Sequence, residues 1–331
     1  MLTRLWYGAS PLATLPLWPL AGLYGVAVGG RRLAYRAGLR RARRLKAPVI
    51  VVGNLTVGGT GKTPLVIWLC EHLRRHGWRP GVVARGYRGR ARHWPQQVRS
   101  DSDPVMVGDE AVLVARRTGC PVCVGPDRVA AGEALLAHTD ADIVVSDDGL
   151  QHLALARDLE ILVMDGERGL GNRLLLPAGP LREPASRRER VDLVVATGKP
   201  QPGAHLMRLG RPRLVPLGAE EAGSTPLDRL AGREVHALAG IGHPERFFAL
   251  LESHGLKVMP HPLPDHHHYH ARDLDFGDDR PVVMTEKDAV KCRRWGRPGL
   301  WAVAVDAEPA PAFVEALDQR LEALRKIEGW V

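Results

Sequence analysis

Pro48-Val-Ile-Val-Val-Gly53 runs directly into Asn54-Leu-Thr-Val-Gly-Gly-Thr-Gly-Lys-Thr-Pro64. The first six residues are an apolar run of strand length, as expected for a strand buried on both faces. After the glycines, Leu65, Val66, Leu69 and Leu73 recur at helical spacing as far as Gly77. Strand, glycine-rich turn and helix together are the context a phosphate-binding loop requires. Gly58, Gly59 and Gly61 let the backbone N–H groups curl around phosphate oxygens. The new helix points its positive end at them. Thr56, Val57, Gly58, Gly59, Thr60, Gly61, Lys62 and Thr63 are therefore the expected nucleotide cradle. Lys62 would reach the β- and γ-phosphates, and the Thr63 hydroxyl is placed to ligate Mg²⁺.

The general motif has glycine where Thr56 stands, and the ATPase variant with an extra lysine before the paired glycines is excluded by Val57. An incidental glycine-rich turn would explain the glycines but not the strand and helix on either side. Guanine recognition would want Asn/Thr-Lys-x-Asp. Thr285-Glu-Lys-Asp288 has those residue types at another spacing, so ATP is the expected nucleotide.

Further apolar runs of strand length lie at 81–84, 121–124, 142–146, 159–164 and 192–196, with helical stretches at 110–117 and 128–138. Apolar runs alternating with helices predict an α/β fold, a mostly parallel sheet with helices on both faces of the P-loop NTPase type. Functional groups in such folds gather at the carboxyl ends of the strands. One of these ends, Ile143-Val-Val-Ser-Asp147-Asp148-Gly-Leu-Gln-His152, closes on two carboxylates. An acid at that position beside a phosphate loop is how Mg²⁺ is held. Neighbouring strand residues point to opposite faces, so Asp147 and Asp148 share one ion only if the strand bends there. A polar turn is the plainer reading. Gly108-Asp109-Glu110 opens a helix, where capping alone would account for the acids. Leu174-Leu-Leu-Pro-Ala-Gly-Pro-Leu-Arg182-Glu183-Pro184 reads as a fixed loop offering an Arg–Glu pair, or as a surface connector.

Residues 216–331 are expected to form a smaller second α/β domain after a core at 47–215. Its strands would lie at 233–239 and 281–284, its helices at 244–254 and 311–327, and 200–231 reads as a connection. Pro264-Asp265-His266-His267-His268-Tyr269-His270 admits a metal-binding reading, an Asp–His proton-transfer pair, or solvated loop histidines. Cys120-Pro-Val-Cys123 is one pair on an apolar strand, which does not make a four-ligand zinc site and points to buried thiols.

The chain has 331 residues and a net charge of +9. Residues 1–46 hold nine Lys or Arg and no acid, while the rest carries 37 of each sign. A neutral body with a basic end argues against a nucleic-acid partner and for an anionic membrane surface. Four cysteines exclude a disulfide-built scaffold. Leu5 to Gly30 is an uncharged run of 26 residues followed by a basic block. Pro11, Pro16 and Pro19 oppose a smooth spanning helix. A helix-turn-helix-like segment in the interface, arginines on headgroups, is the preferred reading of 1–46. A spanning helix and a helical arm packed on the protein are the alternatives.

In their order, several of these stretches resemble the tetraacyldisaccharide 4′-kinase family of the lipid A pathway. They are the apolar-basic amino terminus, Gly53-Asn54 through Pro64, Gly108-Asp-Glu110, Asp147-Asp-Gly-Leu-Gln-His152, Leu176-Pro-Ala-Gly-Pro-Leu-Arg-Glu-Pro184, Ala239-Gly-Ile-Gly242, Pro264-Asp-His-His267 and Met284-Thr-Glu-Lys-Asp288. The resemblance covers nearly the whole chain, Thr56 is itself a family tendency, and Leu263 stands where the family often has a bulky aromatic. It implies transfer of the γ-phosphoryl group of ATP, with Mg²⁺, to the 4′-hydroxyl of a tetraacylated disaccharide 1-phosphate at the cytoplasmic face of the inner membrane. The product would be lipid IVA, the protein would be peripheral or monotopic, and no obligate protein partner is inferred. By the same resemblance Asp109 acts with His266 on the sugar hydroxyl, Asp265 orients His266, and Asn54, Arg128, Arg182 and Glu183 lie on the substrate side. Lys62 and His266 must then face each other across a cleft that closes on substrate. The rival from another class is a membrane-associated P-loop ATPase serving as a metal chaperone or switch, its histidines loading the metal.

Overall fold

The computed structural model describes residues 2–8, 11–218 and 223–326. Met1, Ala9 and Ser10 of the amino-terminal segment, and Ile327 at the end of the expected last helix, lie outside them.

Two helices, α1 (Leu2–Tyr7) and α2 (Trp18–Arg36), are joined through a 3₁₀ turn at Pro11–Leu17. Pro19 sits in the first turn of α2, where its missing N–H costs nothing. The helix buries no residue. Leu20, Leu23, Val26 and Leu33 are exposed along one side. Its other side rests on the proline-rich loop, with the Tyr24 hydroxyl donating to the Arg182 carbonyl (3.0 Å) and Arg32 paired with Glu183. No helix among the described residues is long and apolar enough to cross a membrane.

The core then alternates β1 (Val49–Gly53), α3 (Lys62–Arg75), β2 (Pro80–Ala84), β3 (Gln96–Val98), α4 (Pro104–Val107), α5 (Asp109–Thr118), β4 (Val122–Val124), α6 (Arg128–His138), β5 (Ile143–Asp147), β6 (Leu159–Asp165), β7 (Leu193–Thr197) and β8 (His205–Leu209). The second unit comprises β9 (Arg213–Pro216), β10 (Thr225–Pro226), β11 (Glu234–Ala239), α7 (Pro244–Ser253), β12 (Lys257–Pro262), β13 (Val282–Thr285), α8 (Glu286–Cys292) and β14 (Leu300–Ala304). β15 (Ala307–Pro309) and α9 (Pro311–Arg325) end the described chain.

The first sheet has the order β15-β8-β7-β6-β1-β5-β2-β4-β3, parallel from β8 to β4 with an antiparallel strand at each edge. All of β1 is buried, because both faces are covered. One face packs Ile50, Val52 and Ile161 against Leu69, Leu73, Val112 and Phe313; the other packs Val49, Val51 and Leu162 against Leu135, Leu150 and Leu181. The second sheet runs β10-β9-β14-β13-β11-β12.

The connection expected at 200–231 carries β8, β9 and β10. The expected division at 215/216 falls inside β9, which already pairs with β14 of the second sheet. β15 and α9, expected in the second domain, return to the first sheet, β15 pairing with β8 and Phe313, Leu317, Leu321 and Leu324 joining its core. The final helix finds its apolar partner on the large sheet, where β7 and β8 would otherwise be bare.

Candidate functional site

The phosphate loop leaves β1 at Gly53 and enters α3 at Lys62. Gly58 and Gly61 have φ of 108° and 83°, which glycine alone adopts freely. A Cβ on Gly61 would also come within 2.8 Å of the Thr197 methyl. Thr56 needs no such freedom. It forms an antiparallel bridge with Leu181, and the Val57 N–H donates to the Pro180 carbonyl (2.9 Å). An extended, bridged residue replaces the glycine of the general motif. Asn54, fully buried, donates to the Gly58 carbonyl (3.2 Å), so it braces the loop from within.

At the end of β5, Asp148 has φ 51°, the bend that lets two successive carboxylates serve one site. Asp148 accepts both hydrogen bonds from one Arg182 nitrogen (3.0 and 2.9 Å) and lies 3.6 Å from the Lys62 ammonium. Burial would raise its pKa, but Lys62 and Arg182 outweigh it and hold the carboxyl below its ordinary range. Asp147 is the opposite case. Burial, then the charge of Glu110, pushes it up to about 7 against the pull of Lys62. Its Oδ1 is buried without a hydrogen-bond partner. An orphaned carboxylate oxygen beside a phosphate loop is the donor a hard divalent cation takes.

The amino terminus of α5 brings Asp109 and Glu110 to the same place. Across the cleft, His266 arrives on the loop after β12, its N–H donating to the Gly240 carbonyl (3.1 Å) and its φ at 62°. Gly240 is itself held by fully buried Asp288, which accepts from the Gly240 N–H (3.0 Å) and the Thr285 hydroxyl (2.7 Å). The Ala239–Gly242 and Met284–Asp288 stretches thus aim the histidine. His266 Nδ1 meets Asp109 Oδ2 at 3.0 Å. Burial would raise the Asp109 pKa, but the His266 hydrogen bond and the charges of Lys287 and Lys291 bring it below its ordinary value. Lys287 sits 3.0 Å from Glu110 and 3.4 Å from His266 Nε2. Burial would lower the pKa of this lysine; Glu110, Asp109 and Asp265 raise it and keep it cationic. Asp265 lies 3.7 Å from His266 Nε2 and 3.9 Å from Lys287. A cavity of about 910 Å³ opens beside the pair, with Tyr87, Asp109, Arg116, His266 and Lys291 among its walls.

One electrostatic site therefore joins Lys62, Asp148, Asp147, Glu110, Lys287, His266 and Asp109. A run of neighbouring charges leads from Lys62 through Asp147, Glu110 and Lys287 to His266, and the Asp109–His266 contact across the two units is already made. The sequence alone gives Lys287 no role, although Thr285-Glu-Lys-Asp288 contains it. Only the second unit's fold carries it to Glu110, 177 positions away.

The other expected substrate-side residues separate. Arg182 and Glu183 do not pair with each other. Arg182 holds Asp148, whereas buried Glu183 accepts from Gln151 (2.9 Å) and binds Arg32 and Arg187, anchoring α2 to the core. Arg128 is buried at the start of α6, donating to the Gly125 and Pro126 carbonyls (3.3 and 3.2 Å). Burial lowers its pKa to about 10 against the attraction of Asp148. His267 pairs with Asp273 (3.0 Å) and His268 lies 3.4 Å from Arg90. These histidines are spent on separate partners, which leaves the metal-loading reading without its ligand cluster. All four cysteines are buried and free, as expected.

Known proteins resemble this chain over nearly its whole length. The profile of the family described as tetraacyldisaccharide-1-P 4′-kinase matches residues 13–322. The chain is 53% identical to the tetraacyldisaccharide 4′-kinase of Nitrosococcus oceani over 329 residues, covering 98% of this chain and 96% of that one. It is 56% identical to that of Alkalilimnicola ehrlichii over 315 residues, covering 94% and 93%. The crystal structure of an "apo" form of LpxK from Aquifex aeolicus in complex with ATP superposes with a TM-score of 0.80 at 28% identity, covering 94% of this chain and 99% of that one.

Proposed function

The chain belongs to the tetraacyldisaccharide-1-P 4′-kinase family, and from that premise we propose how its residues carry the reaction. It is a kinase that moves the γ-phosphoryl group of ATP to the 4′-hydroxyl of a tetraacylated disaccharide 1-phosphate, giving lipid IVA.

Residues 56–63 cradle the triphosphate, and Lys62 offsets charge on its outer oxygens. Thr63 and Asp147 would hold Mg²⁺, with Asp147 Oδ1 as the open donor and Asp148 kept beside it by Arg182. When bound, the ion neutralises charge on the β- and γ-phosphate oxygens. The acceptor hydroxyl enters between the loop and the second unit. Its oxygen attacks the γ-phosphorus as the bond to the β-bridging oxygen breaks, ADP departs, and the hydroxyl proton passes to the Asp109–His266 pair. Asp109 is kept anionic for this and Lys287 holds the surrounding acids in place. The observation that carries the reading is the 3.0 Å Asp109–His266 contact, linked toward Lys62 by the charges of Lys287, Glu110 and Asp147.

The membrane part of the reading rests on α2, whose exposed Leu20, Leu23, Val26 and Leu33 would enter the lipid while Arg31 and Arg36 meet headgroups of the cytoplasmic leaflet. The protein is then peripheral or monotopic there. The test is incubation with radiolabelled ATP and the acylated disaccharide phosphate, followed by chromatography of the lipid fraction. Label in the lipid, with little hydrolysis when lipid is omitted, is expected. Rapid hydrolysis with no labelled lipid would overturn the reading.

A further inference from the structure

Away from the cleft, His72 and His76 lie one helical turn apart at the far end of α3, facing Asp318 of α9. His72 is ten positions beyond Lys62, about 15 Å along the helix. His72 Nε2 is 2.6 Å from Asp318 Oδ1, and His76 Nε2 is 3.9 Å from the same oxygen. One donor atom from each of the three residues falls within 4.8 Å of the other two.

We propose that His72, His76 and Asp318 form a binding site for a divalent transition-metal ion of the zinc type, fastening the end of the phosphate-loop helix to α9. Two imidazoles and one carboxylate are a donor set that such ions accept, with a fourth position left to water. Mg²⁺, which prefers oxygen donors, would not choose it.

The ligands are oriented in advance. The His72 ring is buried, stacked on Trp68 at 4.7 Å and 19°, and tilted by 35° against the His76 ring at 4.2 Å. His76 Nδ1 lies 2.8 Å from the His72 carbonyl and donates to it, which leaves the Nε2 lone pair toward the cluster. A hydrogen bond from the second ring nitrogen to a carbonyl is the usual support of a metal-bound histidine. Tetrahedral donors stand about 3.4 Å apart, so the His72–Asp318 contact must open slightly and His76 swing inward. Both mobile partners can do this, their side chains being 46% and 33% exposed. The metal takes the place of the proton on His72 Nε2, which leaves to solvent. Arg75 and Arg325, the nearby cations, are turned onto carbonyls, of Glu71 (3.4 Å) and His76 respectively.

The test is titration of the full chain, free of affinity tag and nucleotide, with Co²⁺ read by its ligand-field absorption, then displacement by Zn²⁺. One ion per chain in a four- or five-coordinate spectrum is expected. His76→Ala and Asp318→Asn, both checked for folding by circular dichroism, should each weaken Zn²⁺ binding by ~100-fold. Asp318→Glu, which keeps the carboxylate, should retain the spectrum. His268→Ala should leave it unchanged. Zn²⁺ should raise the Tm of the parent protein but not of His76→Ala. Binding that survives both ligand variants, binding abolished by His268→Ala, or no binding up to ~100 µM metal would overturn the proposal.

Discussion

A carboxyl as buried as Asp109 would ordinarily drift toward neutrality. One imidazole and two ammonium groups keep it charged, and this makes its partner indispensable. Asp109→Asn and His266→Ala should each lower kcat by ~100-fold or more at saturating ATP, with the KM for ATP little changed. Near-normal turnover in both would remove the pair from the mechanism. Asp147 carries the opposite imbalance. Its folded-state pKa, about 7, exceeds that of an ordinary carboxyl, so between about pH 4 and pH 7 the folded protein holds a proton that the unfolded chain releases. Stability from this group is therefore present at low pH and is lost as pH rises through 7. Asp147→Asn should raise the Tm of the nucleotide-free protein at pH 8, the gain fading toward pH 4, while phosphoryl transfer falls. A lower Tm at pH 8 would show that the carboxylate stabilises the fold. At this scale the sequence was readable wherever the chemistry is local. Lys62 and Thr63 follow from the residues around them. Asp109 and His266 are 157 positions apart, so no local pattern joins them. Their pairing follows only from family resemblance, and the role of Lys287 is not legible because its partner Glu110 sits on a different unit.

Among the elements, the phosphate loop shows how a missing glycine is tolerated. Thr56 is extended and bridged to Leu181, whereas Gly61 has both positive φ and a side chain against it. Thr56→Gly should thus change little, but Gly61→Ala should raise the KM for ATP by ~10-fold or more through strain at the cradle. Equal effects of the two substitutions in ATP titrations would contradict this. The central strands were legible because both their faces are buried, which leaves uninterrupted apolar runs. β8 and β12 were not, since His205-Leu-Met-Arg-Leu mixes polar residues into a half-exposed strand and Lys257-Val-Met-Pro-His-Pro adds prolines at a sheet edge. β14, Leu300-Trp-Ala-Val-Ala, is fully buried and had the same signal as β1, but without a motif beside it to draw notice.

Over the whole molecule, α2 presents apolar side chains outward while its Arg32 and Tyr24 pin it to the loop that also supplies Arg182. Under the proposed function, Glu183 would thereby link lipid contact to the loop whose Arg182 holds Asp148. Leu23→Glu with Val26→Glu replaces two side chains that are 69% and 75% exposed, so folding should be unaffected. Sedimentation with anionic phosphatidylglycerol vesicles should drop by ~10-fold, with ATP binding intact. Undiminished sedimentation would place the lipid contact elsewhere. In the amino-terminal segment the proline spacing foretold an interrupted helix, but its anchor was not legible, because Glu183 is 151 residues from Arg32.

The return of β15 and α9 to the large sheet makes the smaller unit an insertion within the larger. The two crossings run side by side, with the Gly210 N–H donating to the Asp306 carbonyl (2.8 Å) while the Asp306 carboxylate receives Arg117 and Arg213. During synthesis the nucleotide-binding half therefore waits, one edge strand and one helix short, until the ribosome has delivered the inserted half and α9. Exposed Val195 and Met207 would in that interval be a natural grip for chaperones.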